Sequence, residues 1–170
     1  MDVPRTQRGR LGLVLALALA ATTVPGPIRA APAGCAEATV TPSSAAALKP
    51  SEVLLGISAP RAGETLVAAL PSGSVSVAVD YWGPALMNAK GAPGMDNYHL
   101  VYILDEDAAP YIGTLQVMPN CDPQIRHSTA TRITFDNVAH GSHALTVLLA
   151  GSNDVSVNPP VAARVTFMVR

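Results

Sequence analysis

The sequence predicts an all-β protein, an antiparallel sandwich of about seven to eight strands. Apolar residues recur at a spacing of two, which is the spacing that places side chains on one face of an extended strand. Clusters of Pro, Gly, Asn and Asp separate these runs, and no long amphipathic segment lies between them. Strands of five to eight residues joined by such turns are typical of a two-sheet sandwich.

The strands follow from the apolar pattern in chain order. Apolar residues alternate with small or polar ones in SVSVAV (74–79), RITF (132–135) and RVTFMV (164–169), as expected for half-buried strands. LVYIL (100–104) and ALTVLLA (144–150) are apolar on both faces and are predicted to be central strands, covered on both sides. The predicted strands lie near residues 52–58, 64–70, 74–81, 98–105, 112–118, 130–136, 143–150 and 161–169.

The N-terminal third of the chain predicts export. A basic start and the uncharged run LGLVLALALAATTV form a signal peptide over residues 1–33, with small residues for cleavage after Ala33. The apolar run is shorter than the about 20 residues that a membrane-spanning helix needs. We therefore expect a secreted or otherwise extracytoplasmic protein without a transmembrane helix in its mature chain. Residues 34–51 are rich in Ala, Pro and Ser and are predicted to be a flexible arm before one domain, 52–170.

The two cysteines, Cys35 and Cys121, are predicted to form a disulfide, because an exported chain with an even number of cysteines usually pairs them. Such a bridge would tie the mature N-terminus to the MPNCDP loop. One alternative stays open. A small residue followed by Cys just after an export signal is also typical of a lipid-attachment site, which would make the protein a cell-surface lipoprotein tethered at Cys35.

Charge and motifs exclude several classes of function. Removing the leader leaves seven basic and eleven acidic residues, a net charge of −4, so the mature chain lacks the basic surface that nucleic acids require. No G-x-S-x-G nucleophile motif occurs, and no residue is assigned a catalytic role. We expect a protein that is not an enzyme and needs no cofactor.

Two stretches resemble a known family. LLGISAPRAGETL resembles the first strand and turn of bacterial immunoglobulin-like modules, and FDNVAHGSHALTVLLAGSND resembles their last hairpin. More narrowly, the run from His99 to Asp105 is similar to a group of exported bacterial domains of unknown function. Those domains often carry H-x-H at its start and N-D-H after the penultimate strand, where this chain has Val101 and Val155. The resemblance implies an immunoglobulin-like sandwich over about residues 52–170 and no particular reaction.

In that topology the strand 98–105 pairs antiparallel with the strand 143–150, and four residues become candidate ligands for a metal. The pairing places His99 near Asp154 and, at the opposite end, His143 near Asp105. Imidazole and carboxylate groups suit zinc or copper. Neither end gathers three histidines, however, so an exported metal-binding protein is an alternative and not the first interpretation. His127 is placed in a loop.

Aromatic residues suggest a different kind of site. Tyr81 and Trp82 end one predicted strand beside the Gly- and Pro-rich loop 83–97. An exposed Trp82 there would suit contact with a protein or a carbohydrate. The first interpretation of the sequence is therefore a non-catalytic binding or structural module with an unknown protein or carbohydrate ligand.

Overall fold

The computed structural model describes residues 53–68, 71–87 and 97–170, and their regular secondary structure is almost entirely β-strand. A 3-10 helix, Ala109–Tyr111, lies between β4 and β5. The strands are β1 (Leu54–Ala59), β2 (Thr65–Leu66), β3 (Ser72–Trp82), β4 (His99–Leu104), β5 (Ile125–Ser128), β6 (Arg132–Ala139), β7 (Gly141–Ala150) and β8 (Ala162–Val169).

The strands form two sheets that pack face to face. One sheet has the order β1-β3-β6 and the other has the order β2-β8-β7-β4-β5. All neighbours are antiparallel except β2 and β8, which are parallel. The N-terminal edge strand is divided, with β1 in one sheet and β2 in the other, and the second sheet has the order β8-β7-β4-β5. Both features are typical of an immunoglobulin-like sandwich. The predicted all-β, immunoglobulin-like fold is confirmed.

The main core fills the space between the two sheets. The alternating residues of β3 and β6 supply one wall, where Val75, Val77 and Phe135 are almost completely buried. The inward residues of β4 and β7, among them Leu100 and Tyr102, supply the other wall. Because extended backbone sends every second side chain to the same face, the alternation in the sequence defines this core directly.

The outer face of β4 is buried as well, as the apolar runs predicted. All six residues of β4 are buried, and Val101 and Ile103 lie in a second apolar cluster with Met118 and Leu148. The segment 108–118 covers this side of the sheet, because Ala108 and Met118 both belong to the cluster. The covering segment matters for function, since it lies beside the candidate site.

One predicted strand is wrong and another is shorter than predicted. Residues 112–118 form no strand. Gly113 has φ +68°, a left-handed conformation that interrupts extended backbone, and the Thr114 hydroxyl donates to the Pro110 carbonyl across a turn (2.6 Å). The strand that pairs with β4 on this side is instead β5, in a region predicted to be a loop. The predicted strand 64–70 is short, with only Thr65–Leu66 extended and residues 69–70 outside the described part.

Several expectations concern residues that lie outside the described ones. The signal peptide (1–33), the arm (34–51) and Cys35 all precede residue 53. In the part of the chain that the structure describes, no helix has the length and apolar character needed to span a membrane.

Candidate metal centre

His99 is the first residue of β4 and its side chain lies on the outer face of the five-stranded sheet. It pairs with Ala150 of β7 across the ladder and shares its face with Val101, two residues on. His99 is only 1% exposed. A histidine is rarely buried this deeply without partners for its ring nitrogens, so the surroundings of His99 identify what the ring is for.

His127 reaches His99 from the neighbouring strand. It lies in β5 opposite Val101, which makes it a diagonal neighbour of His99 on the same face of the sheet. The two rings stack with centroids 5.1 Å apart, and His99 Nε2 lies 3.0 Å from His127 Nδ1. Pairing within one sheet therefore brings two ring nitrogens to hydrogen-bond distance.

The other nitrogen of His127 fixes its tautomer. His127 Nε2 lies 3.2 Å from the carbonyl oxygen of Pro119. A carbonyl only accepts, so we assign the proton to Nε2, which donates to Pro119. In neutral His127 the Nδ1 atom then carries a lone pair, and that lone pair is the one facing His99. A second partner that orients the ring in this way is typical of metal-ligating histidines.

Asp154 completes the group from the connection between β7 and β8. The tight turn that follows Ala150 is closed by a hydrogen bond from the Asp154 amide to the Gly151 carbonyl (3.1 Å), and Asp154 has φ +58°. Asp tolerates this left-handed conformation better than most residues. The Asp154 carbonyl also accepts from the Met118 amide (2.8 Å), which ties the turn to the covering segment. These contacts hold the carboxylate against the two rings.

The three ligand atoms form a nearly equilateral triangle. Asp154 Oδ1 lies 3.2 Å from His99 Nε2 and 3.2 Å from His127 Nδ1, and the two nitrogens are 3.0 Å apart. These three side chains are the group of His, Cys, Asp or Glu in the described residues that could hold a metal ion. They come from three separate elements, so the fold and not a local motif assembles them.

Hydrogen bonds alone do not satisfy this group. Among the described residues, Asp154 Oδ1 and His99 Nδ1 are buried and have no hydrogen-bond partner. If His99 Nε2 donates to His127 Nδ1, the carboxylate oxygen receives no proton from either ring. The structure thus brings a buried carboxylate oxygen and a histidine lone pair together, an arrangement that a bound cation would stabilise.

The pKa of Asp154 reflects the same surroundings. Burial by itself raises the pKa of this carboxyl, but the nearby His127 and His99 rings outweigh it and the net pKa is well below the ordinary value. The carboxylate is therefore ionised at neutral pH, as a metal ligand must be.

The other predicted metal residues lie at the opposite end of the sheet and form a closed pair. His143 Nδ1 lies 2.7 Å from Asp105 Oδ2, and His143 Nε2 lies 2.9 Å from the Ala139 carbonyl oxygen. Asp105 Oδ1 accepts the Ala144 amide (2.9 Å). Both ring nitrogens thus face oxygen atoms of the protein, and neither points to a position where an ion could bind. The four residues predicted as metal ligands fall into two pairs, and only the pair His99–Asp154 gains a third member.

The aromatic candidates separate into one exposed and one anchored residue. Trp82 is 64% exposed, and its cross-strand partner Leu54 is 70% exposed. Tyr81 is half-buried and donates its hydroxyl to the Pro84 carbonyl (2.7 Å). Burial raises the pKa of Tyr81 to about 12, with a further contribution from Tyr98. A binding role for Tyr81 and Trp82 stays a prediction.

Cys121 is not a free thiol. Its predicted partner, Cys35, lies outside the described residues, so the pairing stays a prediction. His127 was not predicted as a candidate ligand, because its strand was predicted to be a loop. The I-x-H spacing of Ile125 and His127 after the Asp-Pro turn is the signal that indicates the strand, but two residues are too few to distinguish it from irregular structure.

Comparisons with known proteins add little to this description. No protein-family model matches the chain, and no curated protein matches it. Among solved structures, the solution structure of a PKD domain from human KIAA0319 is similar over 75% of this chain and 92% of that domain, with 16% sequence identity and a TM-score of 0.33. At this TM-score the likeness carries no weight, and the fold assignment depends on the strand order alone.

Proposed function

We propose that this protein is a non-catalytic immunoglobulin-like binding module that holds one divalent transition-metal ion at His99, His127 and Asp154. The proposal depends on one observation, the triangle of two imidazole nitrogens and a carboxylate oxygen with edges of 3.0–3.2 Å. Two imidazoles and one carboxylate form a donor set that suits zinc.

The triangle favours zinc over copper. Ligand atoms lie about 3.4 Å apart around a tetrahedral zinc ion and about 3.0 Å apart on one face of an octahedron, given metal–ligand distances of about 2.0–2.1 Å. Three in-plane ligands of a square-planar Cu²⁺ ion would put one pair about 4 Å apart. All three observed edges fall between the tetrahedral and octahedral values, so zinc fits with small side-chain shifts.

A proton is the competing cation. Protonation of His127 at Nδ1 would supply a donor to Asp154, and the group would then be a buried ion pair without a ligand. His99 Nδ1 has no hydrogen-bond partner in the described residues with either cation, so it does not distinguish the two. A metal ion has the advantage of using all three lone pairs at once, which a single proton does not.

Equilibrium dialysis against zinc tests the proposal. We expect the wild-type protein to bind one equivalent of Zn²⁺ and the His99→Ala variant to lose at least about 90% of that binding, because a two-ligand site is much weaker. His140→Ala is the matched control, since His140 is exposed and belongs to neither pair. Equal zinc binding by the wild-type and His99→Ala proteins, with both folded by circular dichroism, would exclude this site.

We also propose that the protein acts outside the cytoplasm, with Cys35 paired to Cys121. The signal-like leader and the absence of a free thiol at Cys121 support this. Intact mass of the exported protein, with and without reductant, separates the possibilities. A chain that starts at Gly34 and gains two mass units on reduction fits the proposal, whereas a mass increased by acyl chains would identify a lipoprotein tethered at Cys35 instead.

A second candidate function is the binding of a protein or carbohydrate at the Trp82–Leu54 surface. Trp82 and Leu54 favour this function, because both are largely exposed and they lie opposite each other on neighbouring strands. Trp82→Ala should abolish binding to glycans or proteins captured by the wild-type chain while the melting temperature stays unchanged. A variant that keeps every captured ligand would remove Trp82 from the site.

A further inference from the structure

We infer that the metal ion in this centre keeps one coordination position open to solvent, and that this position takes a small anion. The inference deepens the proposed function and rests on it. It follows from where the three ligand atoms lie, how exposed each side chain is and what charge the filled centre would carry.

The close spacing of the three ligand atoms confines them to one side of the ion. Atoms separated by 3.0–3.2 Å occupy a single triangular face of a tetrahedron or octahedron. The positions away from that face receive no ligand from these three residues. No fourth His, Cys, Asp or Glu joins them within the ranges 53–68, 71–87 and 97–170. Zinc sites that serve only structure usually have four protein ligands, whereas sites with three leave the fourth position to water or a substrate.

Exposure increases across the group in one direction. The His99 side chain is 2% exposed, that of His127 is 14% exposed and that of Asp154 is 23% exposed. His99 therefore lies at the floor of the site and Asp154 at its rim. The Asp154 side chain is nearly one quarter exposed although its Oδ1 atom is buried, so the ion would lie just below the surface on the Asp154 side.

The charge of the filled centre selects the ligand class. A divalent ion held by two neutral imidazoles and one carboxylate keeps a single net positive charge. The Pro119 carbonyl faces His127 Nε2, which leaves the Nδ1 lone pair of a neutral ring for the ion. A monoanion at the open position neutralises the remaining charge, so hydroxide or another small anion is preferred over a neutral molecule.

Cobalt(II) substitution tests the inference, because Co²⁺ replaces Zn²⁺ in such sites and its visible bands report the ligands. The wild-type protein is loaded with one equivalent of Co²⁺ and titrated with azide as the probe anion. We expect the bands to shift and the change to saturate at one azide per cobalt. The His140→Ala protein should respond identically.

The outcomes separate the two levels of the proposal. Suppose that one equivalent of Co²⁺ binds, that His99→Ala abolishes this binding, and that azide leaves the spectrum unchanged. The metal site would then be supported, but the open position would be overturned, since a further protein group must close it. If neither Co²⁺ nor Zn²⁺ binds, the proposed function itself fails and the open position fails with it. A saturable azide response supports both.

Discussion

At the scale of single residues, the chain uses its buried histidines in two different ways. His143 has an acceptor at each ring nitrogen and is fully occupied, whereas His99 and His127 direct two nitrogens at one another and at a carboxylate. Sequence reasoning placed His99 and His143 at opposite ends of paired strands, which the register between β4 and β7 shows. It could not distinguish a satisfied histidine from an unsatisfied one, because that depends on atoms contributed by residues far apart in the chain.

Because His143 lies outside the candidate metal centre, its substitution should lower stability without changing metal binding. His143→Ala removes the partner of Asp105 Oδ2 and of the Ala139 carbonyl, and it removes the ring that packs on Phe167. We expect a loss of about 2–4 kcal/mol in the free energy of unfolding, with zinc binding retained. Urea denaturation and zinc dialysis on the same protein check it. A His143→Ala variant that loses zinc while remaining folded would show that the two pairs are not independent.

The buried hydroxyl of Tyr102 should make the free energy of unfolding depend on pH in the alkaline range. Its side chain is fully buried in the core, its hydroxyl donates to the Ala130 carbonyl (2.7 Å), and burial raises its pKa to about 12. An unfolded tyrosine ionises near pH 10. Because the folded pKa is raised, the stabilising contribution of the neutral phenol is fully present below pH 10 and is lost as the pH rises toward 12.

Absorbance at 295 nm during an alkaline titration measures this. We expect Tyr102 to ionise only together with unfolding, and we expect Tyr102→Phe to remove one late-titrating phenol. The variant should also lose about 0.5–1.5 kcal/mol of stability at neutral pH, because its hydrogen bond to Ala130 is gone. Ionisation of all tyrosines near pH 10 in the folded protein would contradict the buried position of Tyr102.

At the scale of elements, the segment between β4 and β5 is what the sequence predicted least well. Alternation identified β3, β6 and β8 because those strands are half-buried and are eight to eleven residues long. The segment 112–118 has apolar residues but exposes Ile112 and Leu115 while burying Met118, so its composition does not reveal its backbone. The missed strand β5 is only four residues long. The third ligand of the candidate centre was overlooked for this reason.

Gly113 offers a direct test of the corrected element. In an extended strand an alanine would be tolerated at this position, but at φ +68° a side chain is strained and meets Pro160 at 3.4 Å. We expect Gly113→Ala to destabilise the protein by about 1–2 kcal/mol. Gly56→Ala is the matched control, because Gly56 lies in β1 with open space around it. Thermal melts of the two variants should therefore differ, and equal melting temperatures would mean that 112–118 is not built as described.

At the scale of the whole molecule, the immunoglobulin-like strand order positions the candidate centre. The order β7-β4-β5 brings His99 and His127 to one face of the sheet, and the β7–β8 connection returns Asp154 to the same end. Loops and strand ends of such sandwiches are where functional side chains gather while the two sheets remain constant. The fold could be predicted from alternation, and the expected strand pairing placed His99 near Asp154. The full triangle could not be predicted, since it also requires the register of β5 and the conformation of one turn.

X-ray absorption at the zinc edge of the zinc-loaded protein shows whether side chains from three elements bind one zinc ion. We predict nitrogen and oxygen neighbours at about 2.0–2.1 Å with the multiple scattering of two imidazoles, and little bound zinc in His127→Ala. A shell of sulfur at about 2.3 Å, or a wild-type spectrum without imidazole, would contradict it.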